Sequence, residues 1–371
     1  MRRSQREPPM TVISEFQVKR DNFRETRLLQ RESLALTSDQ LLVRIDQFAL
    51  TSNNVSYAAS GDMIGYWQYY PAPPPWGNVP AWGSGTVLQS AHSDIPVGER
   101  LWGFFPMASH TLLTAGRIRH DQLTDVAAHR QALPGLYNNF RRMTTEADFL
   151  QAMENQRSLL FPLFSTAYVL CDYLQDKAWF QSRQIIIGSA SSKTAYGLAW
   201  LLHQRDDAPP VVGLTSAGNS EFVRTLGCYD RVINYGAEAD IEKQASIYVD
   251  MSGDAGVIGA VHRGLGSQLK ASVSVGLTHW DAPTNKEALP GPRPEFFFAP
   301  AQIAKREQEW GHGVIMERAT QASAEIAGAT AQHTLIEHQR GASALRTAWL
   351  ELLDNRAPAQ RGLLMSLAEQ P

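Results

Sequence analysis

Cysteine is scarce: Cys171 and Cys228 are the only two in 371 residues. Two thiols can build neither a multi-bridge disulfide framework nor a four-cysteine zinc site. Both read as small buried apolar side chains. No apolar run reaches the ~18 residues that a membrane span requires, so a membrane protein is not expected. Charge of one sign is missing too. With 34 Lys and Arg against 37 Asp and Glu, the formal net charge is -3 and leaves no footprint for nucleic acid. The first ten residues, Met1 to Met10, are basic and proline-containing but lack the apolar centre of a signal peptide. They predict a disordered tail on a cytoplasmic protein. What is present, 43% hydrophobic and 19% charged residues, suits a soluble chain with a large core and two domains.

The most informative stretch is Gln184-Ile185-Ile186-Ile187-Gly188-Ser189-Ala190-Ser191-Ser192-Lys193-Thr194-Ala195, an apolar strand entering a turn of small residues and leaving as a helix. Small side chains let backbone N–H groups approach an anion, and a helix starting near Thr194 aims its positive end at the same place. Neither familiar glycine signature is complete. The ATP-type loop needs Gly where Ile187 and Ser192 stand, and G-x-G-x-x-G is met by Gly188, Ala190 and Lys193.

Context decides in favour of a cofactor. From about Leu159 the pattern alternates: helix Phe164 to Leu174, strand Gln184 to Ile187, helix Thr194 to His203, strand Val211 to Leu214 and helix Ser220 to Leu226. Strands at Arg231 to Asn234, Ser246 to Asp250 and Ala271 to Val275 follow. Short β-branched strands separated by helices predict an α/β fold with a doubly wound parallel sheet. The loop follows the first strand, where a dinucleotide pyrophosphate binds in such sheets. The second strand ends in Leu214-Thr215-Ser216-Ala217-Gly218-Asn219, without the carboxylate that would take the ribose 2′-OH of NAD. NADPH is therefore expected rather than NADH, with Lys193 and Arg224 as the available charges.

The N-terminal part reads differently. Val43 and Ile45 alternate with Arg44 and Asp46 as in a half-buried strand, and strands and turns dominate. Five prolines, Pro71, Pro73, Pro74, Pro75 and Pro80, interleave with Trp67, Tyr69, Tyr70, Trp76 and Trp82 in a stiff aromatic loop. It reads either as a packed core edge or as a wall around an apolar substrate.

Several segments together resemble the medium-chain dehydrogenase/reductase superfamily, in its zinc-free quinone-oxidoreductase-like branch. Pro96-Val97-Gly98-Glu99-Arg100-Leu101-Trp102-Gly103 is similar to its V-G-D-R-V turn. Leu226-Gly227-Cys228-Tyr229-Asp230-Arg231-Val232-Ile233-Asn234-Tyr235 is similar to L-G-A-D-x-V-I-N-Y, and Val249-Asp250-Met251-Ser252-Gly253 to V-D-x-x-G. The cofactor loop departs from the usual G-G-V-G and looks like a divergent subfamily with S-S-K-T-A. The resemblance implies a Rossmann domain over 158–299 and a discontinuous, mainly-β, GroES-like substrate domain over 11–157 and 300–371. It also implies family-type homodimers. Gln47 and Pro80-Ala81-Trp82 stand where zinc-dependent relatives carry Cys and Gly-His-Glu, so no zinc is expected. Asn219 stands where NADPH-using relatives often place a lysine.

By the same resemblance, Thr51 to Gly61 is similar to N-P-V-D-T-Y-I-R-S-G, which puts Tyr57 on the active-site tyrosine, with Asn53 or Asn54 as a second donor or, equally in keeping with asparagine, as a turn former. Thr166 and Ser252 fall on positions that line the cofactor. Gly276 and His279 follow the fifth strand, on the ligand side of the sheet, where His279 is an acid, a base or a ribose contact. Phe296-Phe297-Phe298 is expected to pack under C-terminal helices or, as the lesser alternative, to wall the nicotinamide pocket. The expected activity is NADPH-dependent, zinc-independent hydride transfer to a carbonyl, enone or quinone. A cofactor-binding pseudoenzyme and a lyase or hydratase remain the alternatives.

Overall fold

The computed structural model describes residues 11–275 and 289–368. The chain divides into two compact units, one comprising Met1–Glu154, Ile336–Ala357 and Gly362–Pro371, the other Asn155–Leu335 and Pro358–Arg361.

In the first unit six antiparallel strands pair in the order Gln40–Leu50, Pro80–Ser90, Arg100–Pro106, Asn139–Arg142, Gln122–Asp125, His110–Gly116, and the last pairs back with the first. Closure removes the free edge that would invite stray pairing. The length of Gln40–Leu50 makes this possible. Gln40 to Arg44 face Thr114 to His110, while Phe48 to Leu50 outrun that partner and take Met365 to Leu363 of the strand Arg361–Ser366. Inside lie Leu41, Val43 and Ile45, all fully buried, while Arg44 and Asp46 bond each other at 2.8 Å. A second sheet of Asn22–Glu32, Val12–Lys19 and Trp76–Asn78 is also antiparallel.

In the aromatic loop Trp67, Tyr69 and Tyr70 are buried, whereas Trp76 and Trp82 are half-buried and Pro71, Pro73, Pro74 and Pro75 exposed. Trp67 is held between two glycines, since a Cβ on Gly61 or Gly77 would stand 2.1 or 2.4 Å from its ring. Beside it Arg130 and Asp125 form a buried ion pair at 2.9 Å, and the guanidinium lies 4.5 Å from the Tyr70 ring centre.

The region is not only strands and turns. Thr51 opens a helix, Ser52–Ala59, through a reciprocal cap in which its side chain takes the Asn53 N–H and the Asn54 side chain takes the Thr51 N–H at 2.7 Å. Asn53 and Tyr57 thus come four residues apart on one helix face.

In the second unit six parallel strands run in the spatial order Arg231–Asn234, Val211–Thr215, Gln184–Ile187, Ser246–Asp250, Leu269–Ser274, Glu295–Phe296. In chain order this is third, second, first, fourth, fifth, sixth, so the connections reverse direction beside the first strand. Every residue of Gln184–Ile187, Val211–Thr215 and Ser246–Asp250 is buried, as a sheet covered on both faces requires. Helices Lys193–His203, Ser220–Thr225 and Ala255–Leu265 follow the first, second and fourth strands.

Residues 300–335, expected with the substrate domain, cluster in this second unit. Gln302 and Arg306 both donate to Asp172 Oδ2, at 2.6 and 2.8 Å, and Ser323 meets Ser165 at 3.2 Å. Polar ties of this kind onto the helix Glu154–Asp176 hold the helices Ala299–Trp310 and Val314–Ala329 there. The phenylalanine triplet also differs from expectation. Phe297 is buried against Tyr173, whereas Phe296 and Phe298 are 55% and 44% exposed.

Candidate functional site

The turn after Gln184–Ile187 is tied from every side. Gly188 N–H donates to the Val249 carbonyl, and a Cβ on Gly188 would stand 2.8 Å from the Tyr248 hydroxyl. Ser189 adopts φ +53°, a left-handed conformation uncommon outside glycine, and its N–H donates to the Tyr235 hydroxyl at 2.8 Å. Ala190 is fully buried, donating to the Leu214 carbonyl and accepting from the Tyr229 hydroxyl at 2.8 Å. Asn219 donates its amide to Ser191 Oγ at 3.1 Å, which joins the turn after the second strand to this one.

Around that frame polar atoms are left over. Ser192 precedes the helix Lys193–His203 without making a capping bond, and Ser192 Oγ, Ser220 Oγ and Asn234 Oδ1 are buried without a hydrogen-bond partner among the described residues. A buried polar atom left unpaired costs about 1–3 kcal/mol. A free Ser192 hydroxyl at an uncapped helix start fits a phosphate-bearing group. At the end of the second strand Thr215 is buried and its carbonyl takes the Tyr235 N–H, while Ser216 is exposed. No carboxylate occurs from Thr215 to Ser220.

Lys193 sits elsewhere than the loop's open side. Its ammonium donates to the carbonyls of Ala359 and Arg361, and burial pushes its pKa down to about 8. Thr194 is half-buried. Two further expected cofactor residues have their hydroxyls engaged. Thr166 Oγ1 donates to the Pro162 carbonyl at 2.8 Å, and Ser252 donates through both its N–H and its Oγ to Asp250 Oδ1, at 3.0 and 2.8 Å. Burial raises the Asp250 pKa, while these donors and the Gly253 N–H pull it back.

In the first unit Tyr57 is 6% exposed. Its hydroxyl oxygen receives the Asn53 amide at 2.7 Å and the Trp82 indole N–H at 3.3 Å. Burial drives its pKa upward, so the phenol is neutral at ordinary pH. Tyr66 and Phe104 fix the ring at 4.5 and 5.3 Å. Gln47 donates to Glu154 Oε1 at 3.3 Å. Among the described residues no three His, Cys, Asp or Glu side chains gather in a group that could hold a metal. Gly276, His279 and Trp280 lie outside the described residues.

A family model described as "Protein of unknown function (DUF2855)" matches residues 48–358. The chain belongs to the DUF2855 family. No curated protein matches it. Solved structures similar to this DUF2855 protein include CurA from Vibrio vulnificus, at a TM-score of 0.60 and 14% identity, covering 97% of this chain and all of that one. The same protein has been solved in complex with NADPH. The yhdH oxidoreductase from Salmonella enterica in complex with NADP gives 0.53 and 16%, over 97% of this chain and 100% of that one. A mutant enoyl thioester reductase from Candida tropicalis gives 0.55 and 10%, over 96% of this chain and 100% of that one. At such identities the likeness is one of fold.

Reading the DUF2855 sequence missed four contributors. Trp82 stood in the aromatic loop and at the place of a glycine–histidine–glutamate motif without a role at Tyr57, though an indole N–H that is partly buried must find an acceptor. Tyr235 and Asn234 were part of a matched segment without roles of their own, and Ser220 carried no signal beyond starting a helix. An open depression of about 930 Å³ lined by Gln175, Trp179, Arg183, Asp207, Pro210 and Gln244 lies at the amino ends of the strands, on the opposite side from the loop.

Proposed function

We propose that this DUF2855 protein is an NADPH-dependent, zinc-independent oxidoreductase of the medium-chain dehydrogenase/reductase type, built from a Rossmann domain and a GroES-like substrate domain. The observation that carries the reading is the loop at Gly188–Lys193. It stands at the carboxyl end of the first strand, beside the direction reversal of a 3-2-1-4-5-6 parallel sheet, and among the described residues its Ser192 Oγ is buried and unpartnered. The NADPH-bound and NADP-bound neighbours support the cofactor class.

In this reading Ser191, Ser192 and the start of the helix Lys193–His203 hold the pyrophosphate. Ser216, Asn219 and Ser220 receive the 2′-phosphate in place of the acidic residue that would favour NADH. Bound there, the nicotinamide supplies hydride. Tyr57 offers a neutral phenol proton to a ketone, enone or quinone oxygen, stabilising the charge that develops on it.

The test is a fluorescence titration with NADPH and NADH, followed by NADPH oxidation against a panel of ketones, enones and quinones, with wild type and Tyr57→Phe. Tight NADPH binding, turnover in wild type and a kcat loss of about a hundredfold in the variant are expected. Binding without turnover on any carbonyl would favour a cofactor-binding pseudoenzyme. Product formation without NADPH consumption would favour a lyase or hydratase.

A further inference from the structure

A phenol oxygen can accept two hydrogen bonds and donate one. At Tyr57 both incoming bonds come from groups that only donate at the atom concerned, the amide nitrogen of Asn53 and the indole nitrogen of Trp82. Among the described residues no acceptor takes the Tyr57 proton. The ring cannot turn to change this, because Tyr66 lies against it at 4.5 Å and Phe104 meets it edge-on at 5.3 Å. Trp82 is itself held in place, stacked on Trp102 at 4.8 Å with the two planes 20° apart and packed on Phe104 at 5.1 Å. Its position comes from the strand Pro80–Ser90, whereas Asn53 reaches Tyr57 from within their shared helix. The hydroxyl is thus oriented from two elements distant in sequence.

We infer that Trp82 is a positioning residue: its indole N–H, together with the Asn53 amide, occupies the accepting side of the Tyr57 hydroxyl and leaves it only a proton to offer. The ligand atom that meets Tyr57 is then an oxygen that accepts, the carbonyl of a ketone, enone or quinone. A ligand presenting only an N–H donor at that point is rejected, since it would find no lone pair there. This rests on the proposed role of Tyr57, but the orientation itself can be measured without turnover.

The indole N–H resonances of the nine tryptophans are recorded by ¹H–¹⁵N NMR. The Trp82 signal is assigned as the one missing from Trp82→Phe. In Tyr57→Phe that signal moves upfield, while the other indole signals hold their places. Trp102→Phe removes the stacking partner but not the bond, and serves as the packing control. Kinetics then separate orientation from packing. Trp82→Phe lowers kcat on the order of tenfold with KM unchanged, the scale of one hydrogen bond. Trp82→His, which restores a ring N–H, recovers part of that loss, and Trp102→Phe, which loosens the stacking but keeps the indole N–H, loses less than Trp82→Phe. A Trp82 indole signal unmoved by Tyr57→Phe overturns the inference, and so does a Trp82→Phe enzyme with wild-type kcat. If the wild type oxidises no NADPH, the proposed activity fails, and the NMR comparison still decides whether Trp82 orients Tyr57.

Discussion

The ammonium of Lys193 stands 3.1 Å from the carbonyl oxygen of Ala359, and a second bond runs to Arg361 at 3.0 Å. The first residue of the helix after the cofactor-type loop is therefore spent on the segment Pro358–Arg361 of its own unit. Both acceptors are neutral, so the charge is held without a carboxylate, at the helix end where a cation is least favoured.

A sign follows for pH. Burial lowers the Lys193 pKa from the usual 10.5 to about 8. Between these values the unfolded chain binds the proton more tightly than the folded one, so stability rises with pH there. Wild type should gain stability relative to Lys193→Met as the pH climbs from 8 toward 10.5, read as the difference between paired thermal melts. A wild type that gains nothing on Lys193→Met over this interval would show that the ammonium is not desolvated as described.

Cofactor choice is predicted at Ser216, exposed at the end of the second strand with no carboxylate nearby in sequence. Ser216→Asp should weaken NADPH binding relative to NADH by about tenfold, ~1.4 kcal/mol, through repulsion of the 2′-phosphate. Nucleotide fluorescence titrations measure the ratio, and an unchanged ratio would move the 2′-phosphate away from this turn.

Gly188 is fixed by its neighbours rather than by its backbone. A Cβ there would meet the Tyr248 hydroxyl at 2.8 Å and Asp250 Oδ1 at 3.4 Å. Gly188→Ala should cost about 1–3 kcal/mol by overpacking and weaken nucleotide binding as the loop is displaced. A melt and titration matching wild type would mean that Tyr248 yields freely.

Five of the parallel strands were legible because they are short, largely apolar runs, three of them fully buried, and the loop because it follows the first; Glu295–Phe296, two exposed residues, left no such run. The helix Ser52–Ala59 was not. Its asparagines favour turns, and only the reciprocal cap between Thr51 and Asn54 reveals why they start a helix instead. The role of Lys193 was also hidden, since no local pattern says that a lysine will bond carbonyls 166 and 168 residues away. Trp82 and Tyr57 meet across 25 residues for the same reason. Pairings set by tertiary packing leave no periodic trace.

In the first unit the pair Arg130–Asp125 has side chains only 1% and 2% exposed. Asp125 also takes the N–H groups of Thr114 and Ala127, both at 3.1 Å. Asp125→Ala strands a buried guanidinium and two amides, and should cost about 3–5 kcal/mol in chemical denaturation. A loss below 1 kcal/mol would mean that water reaches Arg130.

Backbone strain gathers in the turn between the helix Glu154–Asp176 and the strand Gln184–Ile187. Ala178, Trp179, Phe180 and Gln181 have φ of +48°, +51°, +48° and +54°, a full left-handed turn without glycine. Each such residue costs roughly 1–2 kcal/mol, and the Trp179 indole bond to Asp207 at 3.3 Å helps to hold the turn. Gln181 is exposed, with only a 3.4 Å side-chain bond to the Ala178 carbonyl. Gln181→Gly removes the clash between Cβ and the following carbonyl. Against this stands the greater freedom of glycine in the unfolded chain, about 0.4–1 kcal/mol. The relief is the larger, so Gln181→Gly should raise the denaturation midpoint by up to about 1 kcal/mol of stability. Gln181→Ala keeps the Cβ and should not. The glycine–alanine difference isolates the backbone, because both variants lose the same side-chain bond. Equal midpoints would show that the turn is not left-handed at Gln181.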